Sequence, residues 1–238
     1  MTTTGDDIPR YTCPKCGRTF PWDERIAHRP HLPTVCTCTE CGEIERQEKA
    51  QREAEAARRH REAQWEKLCP PLYRQTAPER LPDQKALTEA LSWSWGPSGL
   101  LMAGPTGSGK TRIAWLVLRR VFDEGKRIHA FDAVSFSHEV GNRFYDGDGE
   151  GWIARVARAD VLFLDDVGKC KLTERGEAEL FGLVEKRTAN LLPIVCTMNL
   201  TDAALQDRLS EDRGAPLVRR LKEFCKVLVV GARAGAGQ

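Results

Sequence analysis

The run Gly104-Pro-Thr-Gly-Ser-Gly-Lys-Thr111 constrains this chain more than any other feature. It fills the pattern G-x-x-x-x-G-K-[ST] between a short apolar run, Gly99 to Ala103, and a segment of helical spacing. That is the context in which such a loop wraps phosphate. Gly104, Gly107 and Gly109 let the backbone approach the phosphates closely, with Pro105, Thr106 and Ser108 completing the loop. Its amides and the following helix N-terminus supply positive potential. Lys110 is placed to reach the β- and γ-phosphates of ATP, and the Thr111 hydroxyl to hold magnesium. A chance glycine turn is the competing reading, and the strand and helix on its two sides disfavour it.

The rest of this half alternates in the same way. Ile113, Ala114, Val117, Leu118 and Val121 recur on one side of a helix over 111–123, and Gly125 stands where a C-cap glycine belongs. The pattern predicts strands over 128–131, 161–164, 193–197 and 226–230. It predicts helices over 134–144 and 174–189, with two shorter ones near 202–209 and 215–223. Residues 146–151 read as a flexible loop, and the Gly- and Ala-rich residues 231–238 as a disordered tail. Such alternation predicts an α/β fold, a parallel sheet covered on both faces.

Two strand ends carry chemistry. Val161-Leu-Phe-Leu-Asp165-Asp166 is an apolar strand closed by two carboxylates, one βα unit after the phosphate loop. Asp165 suits magnesium, and Asp166 suits orienting or deprotonating an attacking water. The competing reading is a helix N-cap or a solvated strand end. Pro193-Ile-Val-Cys-Thr-Met-Asn199 ends on an amide. In a parallel sheet that end faces the same crevice as the loop, so Asn199 can polarise the water or touch the γ-phosphate. Its alternative is a cap on the next helix.

The first part of the chain is different in kind. Of the 9 cysteines, five crowd its beginning. The polar, acidic N-terminus carries no signal-peptide pattern, and no apolar run is long enough for a membrane span. The expected location is the cytoplasm, where thiols stay reduced, so the cysteines read as a metal site. Cys13-Pro-Lys-Cys16-Gly and Cys38-Thr-Glu-Cys41-Gly are two knuckles with 21 residues between them, and four thiolates suit structural zinc. Cys36 could replace Cys38, and His28 or His31 could compete. The expected divisions are a zinc ribbon at 10–42, a charged helical linker at 43–69, a core at 70–230 and the tail. Glu45–Lys49, Glu48–Arg52 and Glu55–Arg59 support the linker helix, and Pro70 and Pro71 end it. Lys15, Arg18, Arg25 and Arg29 beside Phe20 and Trp22 could stack bases or dock a protein. The net charge of +2 argues neither way on nucleic acid.

Taken in order, Gly104 to Thr111, Leu164-Asp-Asp-Val-Gly168, Thr197-Met-Asn199 and Leu217-Val-Arg-Arg-Leu221 before a last strand resemble the DnaC/IstB group of AAA+ ATPases, over roughly residues 70–230. The departure is Met198, where the group often has serine. The resemblance implies a P-loop AAA+ core without a C-terminal lid, with Asn199 as the sensor-one residue. It implies ATP hydrolysis at a slow rate, because Asp166 stands where many relatives carry the longer glutamate. Arg220, with Arg219 in reserve, would be an arginine finger acting in a neighbouring subunit, hence a homo-oligomer with ATP bound; ordinary solvated helix charges are the competing reading. It further implies single-stranded or duplex DNA as partner, which Lys169, Lys171 and Arg175, or Arg112, Arg119 and Arg120, could contact. Loading of a replicative helicase, with a DnaI-like zinc segment docking on it, is the expected function. The alternatives are an IstB-type transposition helper and an adaptor that binds nucleotide without turnover.

Overall fold

The computed structural model describes residues 10–21, 39–169, 171–199 and 211–231. Two compact units divide the chain, residues 1–64 and 65–238.

In the first unit, strands β1 (Arg10–Thr12) and β2 (Thr19–Pro21) pair antiparallel around the turn Cys13 to Gly17. Gly17 turns at φ 71°, and its N–H donates to the Cys13 carbonyl at 2.9 Å. Helix α1 (Thr39–Leu68) runs out of this unit. Its Glu48–Arg52 and Glu55–Arg59 pairs lie on exposed turns, where each adds a few tenths of a kcal/mol, about 0.3–0.5. The helix begins four residues earlier than its charge pattern predicts, because Glu40 favours its first turn. Cys41 and Gly42 therefore lie in the helix.

The second unit is built on five parallel strands: β3 (Gly99–Ala103), β4 (Ile128–Asp132), β5 (Val161–Val167), β6 (Ile194–Met198) and β7 (Cys225–Val229). They lie in the order β4-β5-β6-β3-β7. The strand before the phosphate loop is thus central, between β6 and β7. Helices fill both faces: α2 (Pro71–Arg74), α3 (Gln84–Leu91), α4 (Lys110–Asp123), α5 (Ala133–Tyr145), α6 (Gly149–Ala157), α7 (Glu174–Ala189) and α8 (Glu211–Phe224). One core layer gathers Phe136, Trp152, Leu180 and Leu221 against Leu162 and Leu164. The other gathers Trp65, Trp93, Ile113, Trp115 and Leu118 against Leu100 and Phe163. Burial on both faces explains why these strands read as continuous apolar runs.

Two expectations change, and a further stretch gains structure. The loop over 146–151 gives way to α6 from Gly149, because Trp152, Ile153 and Val156 bury one face against the core. The stretch 70–98 holds α2, a 3-10 turn at Pro78–Arg80 and α3, whose N-cap Asp83 accepts from the Ala86 N–H at 2.9 Å. Helix α8 starts at Glu211 and β7 one residue early. The helix expected near 202–209 and the tail over 232–238 lie outside the described residues. Among the described residues, no helix is long and apolar enough to cross a membrane.

Candidate active site

The phosphate loop joins β3 to α4 through three glycines at positive φ: Gly104 at 155°, Gly107 at 82° and Gly109 at 93°. At Gly104 the requirement is also spatial. A Cβ there would stand 2.1 Å from the Val230 carbonyl oxygen, so the loop is threaded against the end of β7. Lys110 is buried, and its ammonium donates to the carbonyls of Gly104 at 3.0 Å and Pro105 at 2.8 Å. Burial lowers its pKa, while Asp166 and Asp165 act to raise it. A cation folded into a preformed glycine loop fits a polyphosphate.

Beside the loop, the Thr111 hydroxyl donates to Asp165 Oδ1 at 2.9 Å. Thr197 on β6 donates to the same oxygen at 2.5 Å and accepts the Asp166 N–H at 2.9 Å. Asp166 takes the Asn199 amide on Oδ1 at 2.8 Å and the Lys169 ammonium on Oδ2 at 2.9 Å. Neighbouring strand residues normally face opposite sides. Both carboxylates nevertheless reach the end of β6. Asp166 is left-handed, at φ 52°, and the β5–β6 register shifts between Leu164 and Val167, a local irregularity that re-aims a side chain. Aspartate is among the residues that tolerate this conformation.

Burial holds the Asp165 carboxyl above its ordinary range, opposed by hydrogen bonds from Thr197 and Thr111 and reinforced by the Asp166 charge. A half-buried carboxylate next to a second one and a threonine hydroxyl is a hard oxygen set that suits magnesium.

A cleft of about 580 Å³ opens over these groups, lined by Lys110, Thr111, Asp166, Lys169 and Asn199 among others. Its far wall is one the motifs do not announce: Leu72 and Tyr73 of α2 with Arg80, Leu81 and Pro82. The Tyr73 ring stacks on Trp115 at 6.1 Å. The proline punctuation at 70, 71, 78 and 82 is the signal that this segment is shaped rather than slack.

Arg220 does not line the cleft. It lies on α8 in a two-pronged pair with Glu185, at 2.7 and 3.2 Å, while Arg219 is exposed and 3.7 Å from Glu223.

In the first unit, the thiols of Cys13, Cys16 and Cys41 lie within 4.8 Å of one another. Three convergent sulfurs fit three corners of a tetrahedral zinc site. Cys38, Cys36, His28 and His31 lie outside the described residues.

A family model described as IstB-like ATP binding protein matches residues 44–234. The large subunit of replication factor C from Archaeoglobus fulgidus is 28% identical over 176 residues, 64% of this chain and 37% of that protein. The chain thus spans little more than a third of that relative's length. Two solved structures share the fold. The DnaC helicase loader has a TM-score of 0.53 at 22% identity, covering 62% of this chain and 86% of its own. DnaI has 0.52 at 15% identity, covering 70% and 94%.

Proposed function

The chain belongs to the IstB-like ATP binding proteins, and from that membership we propose that it is an ATPase whose binding and turnover of ATP switch the loading of a replicative DNA helicase. The observation that carries the ATPase reading is the shared hydrogen-bond set, in which Thr111, Asp165, Thr197, Asp166 and Asn199 form one chain of contacts beneath the phosphate loop.

In this reading the amides of Gly104 to Gly109 and the start of α4 hold the phosphates. Lys110 turns its ammonium from the loop carbonyls to the β- and γ-phosphates. Thr111 and Asp165 hold magnesium, which when bound neutralises charge developing on the phosphate oxygens. Water attacks the γ-phosphorus, the bond from phosphorus to the β–γ bridging oxygen breaks, and ADP leaves. Asp166 orients that water and accepts its proton, and Asn199 fixes the Asp166 carboxylate. The short reach of Asp166 favours slow turnover, adequate for a switch. Because Arg220 stands outside the cleft, its part as an arginine finger requires a second copy of the chain, and ATP-bound oligomers follow from it. Zinc on Cys13, Cys16 and Cys41, with Cys38 or a competing residue as the fourth ligand, would shape the first unit for docking on the helicase. Single-stranded DNA is the second partner of this reading.

The test is native mass spectrometry of the full chain with the host's replicative helicase, with and without ATP, beside Lys110→Ala. A complex whose composition depends on ATP in the wild type, and not in the variant, supports the loader. No complex in any condition overturns it. The family match favours one second reading, an ATP-dependent transposition helper. A transposase captured under the same conditions in place of the helicase would establish it.

A further inference from the structure

Lys169 is a cation of the cleft to which the mechanism above gives no task. Lys169 lines the same cleft as Lys110, Thr111 and Asn199, yet it belongs to no part of the phosphate loop. Its ammonium sits on Asp166 Oδ2 at 2.9 Å. The backbone sets this contact: Gly168 turns at φ 82° and the Lys169 N–H returns to the Asp166 carbonyl at 3.0 Å. The turn delivers the side chain three residues on, back to the carboxylate it follows. With Asn199 on Oδ1, both oxygens of Asp166 carry a donor. A carboxylate so occupied is poorly placed to take a proton from water.

Two other cations of the cleft are held by main-chain and hydroxyl oxygens. Lys110 is buried in the loop. Arg112 donates to the Leu72 carbonyl and the Thr76 hydroxyl, both at 3.2 Å. The Lys169 side chain is 62% exposed. An exposed ion pair of this kind is weak, about 0.2–1 kcal/mol, whereas a hydrogen bond to a charged group in a site that excludes water is worth more.

We propose that Lys169 is a second phosphate-binding residue of the cleft: its ammonium passes from Asp166 to the terminal phosphate of a nucleoside triphosphate, so that the same event that recognises the triphosphate frees Asp166. A diphosphate brings no γ-phosphate and leaves Lys169 on the carboxylate. Lys169 thereby discriminates tri- from diphosphate within one chain, without a neighbouring subunit. The inference rests on the nucleotide-site reading of the cleft.

The experiment is equilibrium binding of ATP and ADP, each with magnesium, to the full-length wild type, Lys169→Ala, Lys169→Arg and Lys110→Ala. The ratio of ATP to ADP affinity is expected to fall about three- to tenfold in Lys169→Ala, with ADP affinity unchanged within about twofold, and to recover in part in Lys169→Arg. Ten-fold corresponds to about 1.4 kcal/mol, the scale of one charge-assisted contact. An unchanged ratio in Lys169→Ala, or an equal loss for both nucleotides, overturns the inference. Lys110→Ala separates the two readings: if it binds both nucleotides as the wild type does, the nucleotide-site reading itself fails.

Discussion

At the scale of single residues, the site turns on a threonine whose role its motif does not announce. Thr197 is fully buried, and its hydroxyl both supports Asp165 and satisfies the Asp166 N–H. Thr197→Val keeps the shape and removes both bonds, leaving a backbone donor and a carboxylate short of partners. A loss of about 2 kcal/mol in urea unfolding is expected; a midpoint equal to the wild type would refute the argument. Lys110, Thr111, Asp165 and Asp166 could be picked from spacing, because glycine loops and apolar strand ends leave sequence patterns. Thr197 could not, since a hydroxyl in a buried strand looks like any other β-branched residue. A second residue-scale prediction concerns pH. Burial first, then the charges of Arg187, Arg127 and Arg155, hold the His129 imidazole below its ordinary 6.5. A depressed folded-state value means the unfolded chain binds the proton more readily, so stability is present above about pH 6.5 and falls as the pH drops toward the lower folded value. His129→Phe preserves the stacking on Phe131 (6.1 Å) and should lose less stability between pH 7.5 and 5.5, as urea midpoints will show; equal slopes for both proteins would discount His129.

At the scale of elements, the core strands and α4, α5 and α7 follow from apolar spacing, because each buries a continuous stripe. The elements that escape are those whose packing depends on small residues. Helix α6 opens on Gly149 and Gly151, which read as flexibility. The structure gives Gly149 another reason: a Cβ there would meet the Phe144 ring at 2.4 Å. The glycine lets α5 and α6 close on each other, and Phe144 in turn carries the Arg175 guanidinium at 4.3 Å. Helix propensity and packing therefore predict opposite outcomes for Gly149→Ala. Alanine is the better helix former by about 1 kcal/mol, but overpacking costs about 1–3 kcal/mol. Because the clash is with a ring held near the core, packing should win and the variant should be less stable by about 1 kcal/mol. A raised melting temperature would show that the ring moves aside. The segment before β3 escaped for a related reason. Its prolines announce turns but not what they lean on, and Asp83, which caps α3 and also accepts the Gly231 N–H at 2.9 Å, ties it to the residues just after β7.

At the scale of the whole molecule, the two units are held by different physics. The second has two apolar layers around its sheet. Among the described side chains of the first, only Cys13 is buried. Ion pairs of Lys15 with Glu45 and Arg18 with Glu40 link the hairpin to α1, but exposed pairs contribute about 0–1 kcal/mol each. A hairpin and helix whose described side chains bury so little apolar surface gain from a metal staple, and the three convergent thiols are placed to supply one. The cysteine spacing made the zinc reading possible from the sequence. The helical setting of Cys41 was hidden, because a C-x-x-C-G run looks the same in a turn and in the first turn of a helix. If zinc folds the first unit, binding and local folding are one equilibrium. Removing the metal with a strong chelator at neutral pH should release about one zinc per chain and open residues 10–21 and the start of α1 to rapid amide exchange. The second unit should keep its exchange protection and its thermal transition, because its core contains none of these sulfurs. Cys13→Ser should reproduce the effect without chelator. Protection in the first unit that survives both treatments would mean that contacts other than metal hold it, and the zinc assignment would have to be abandoned.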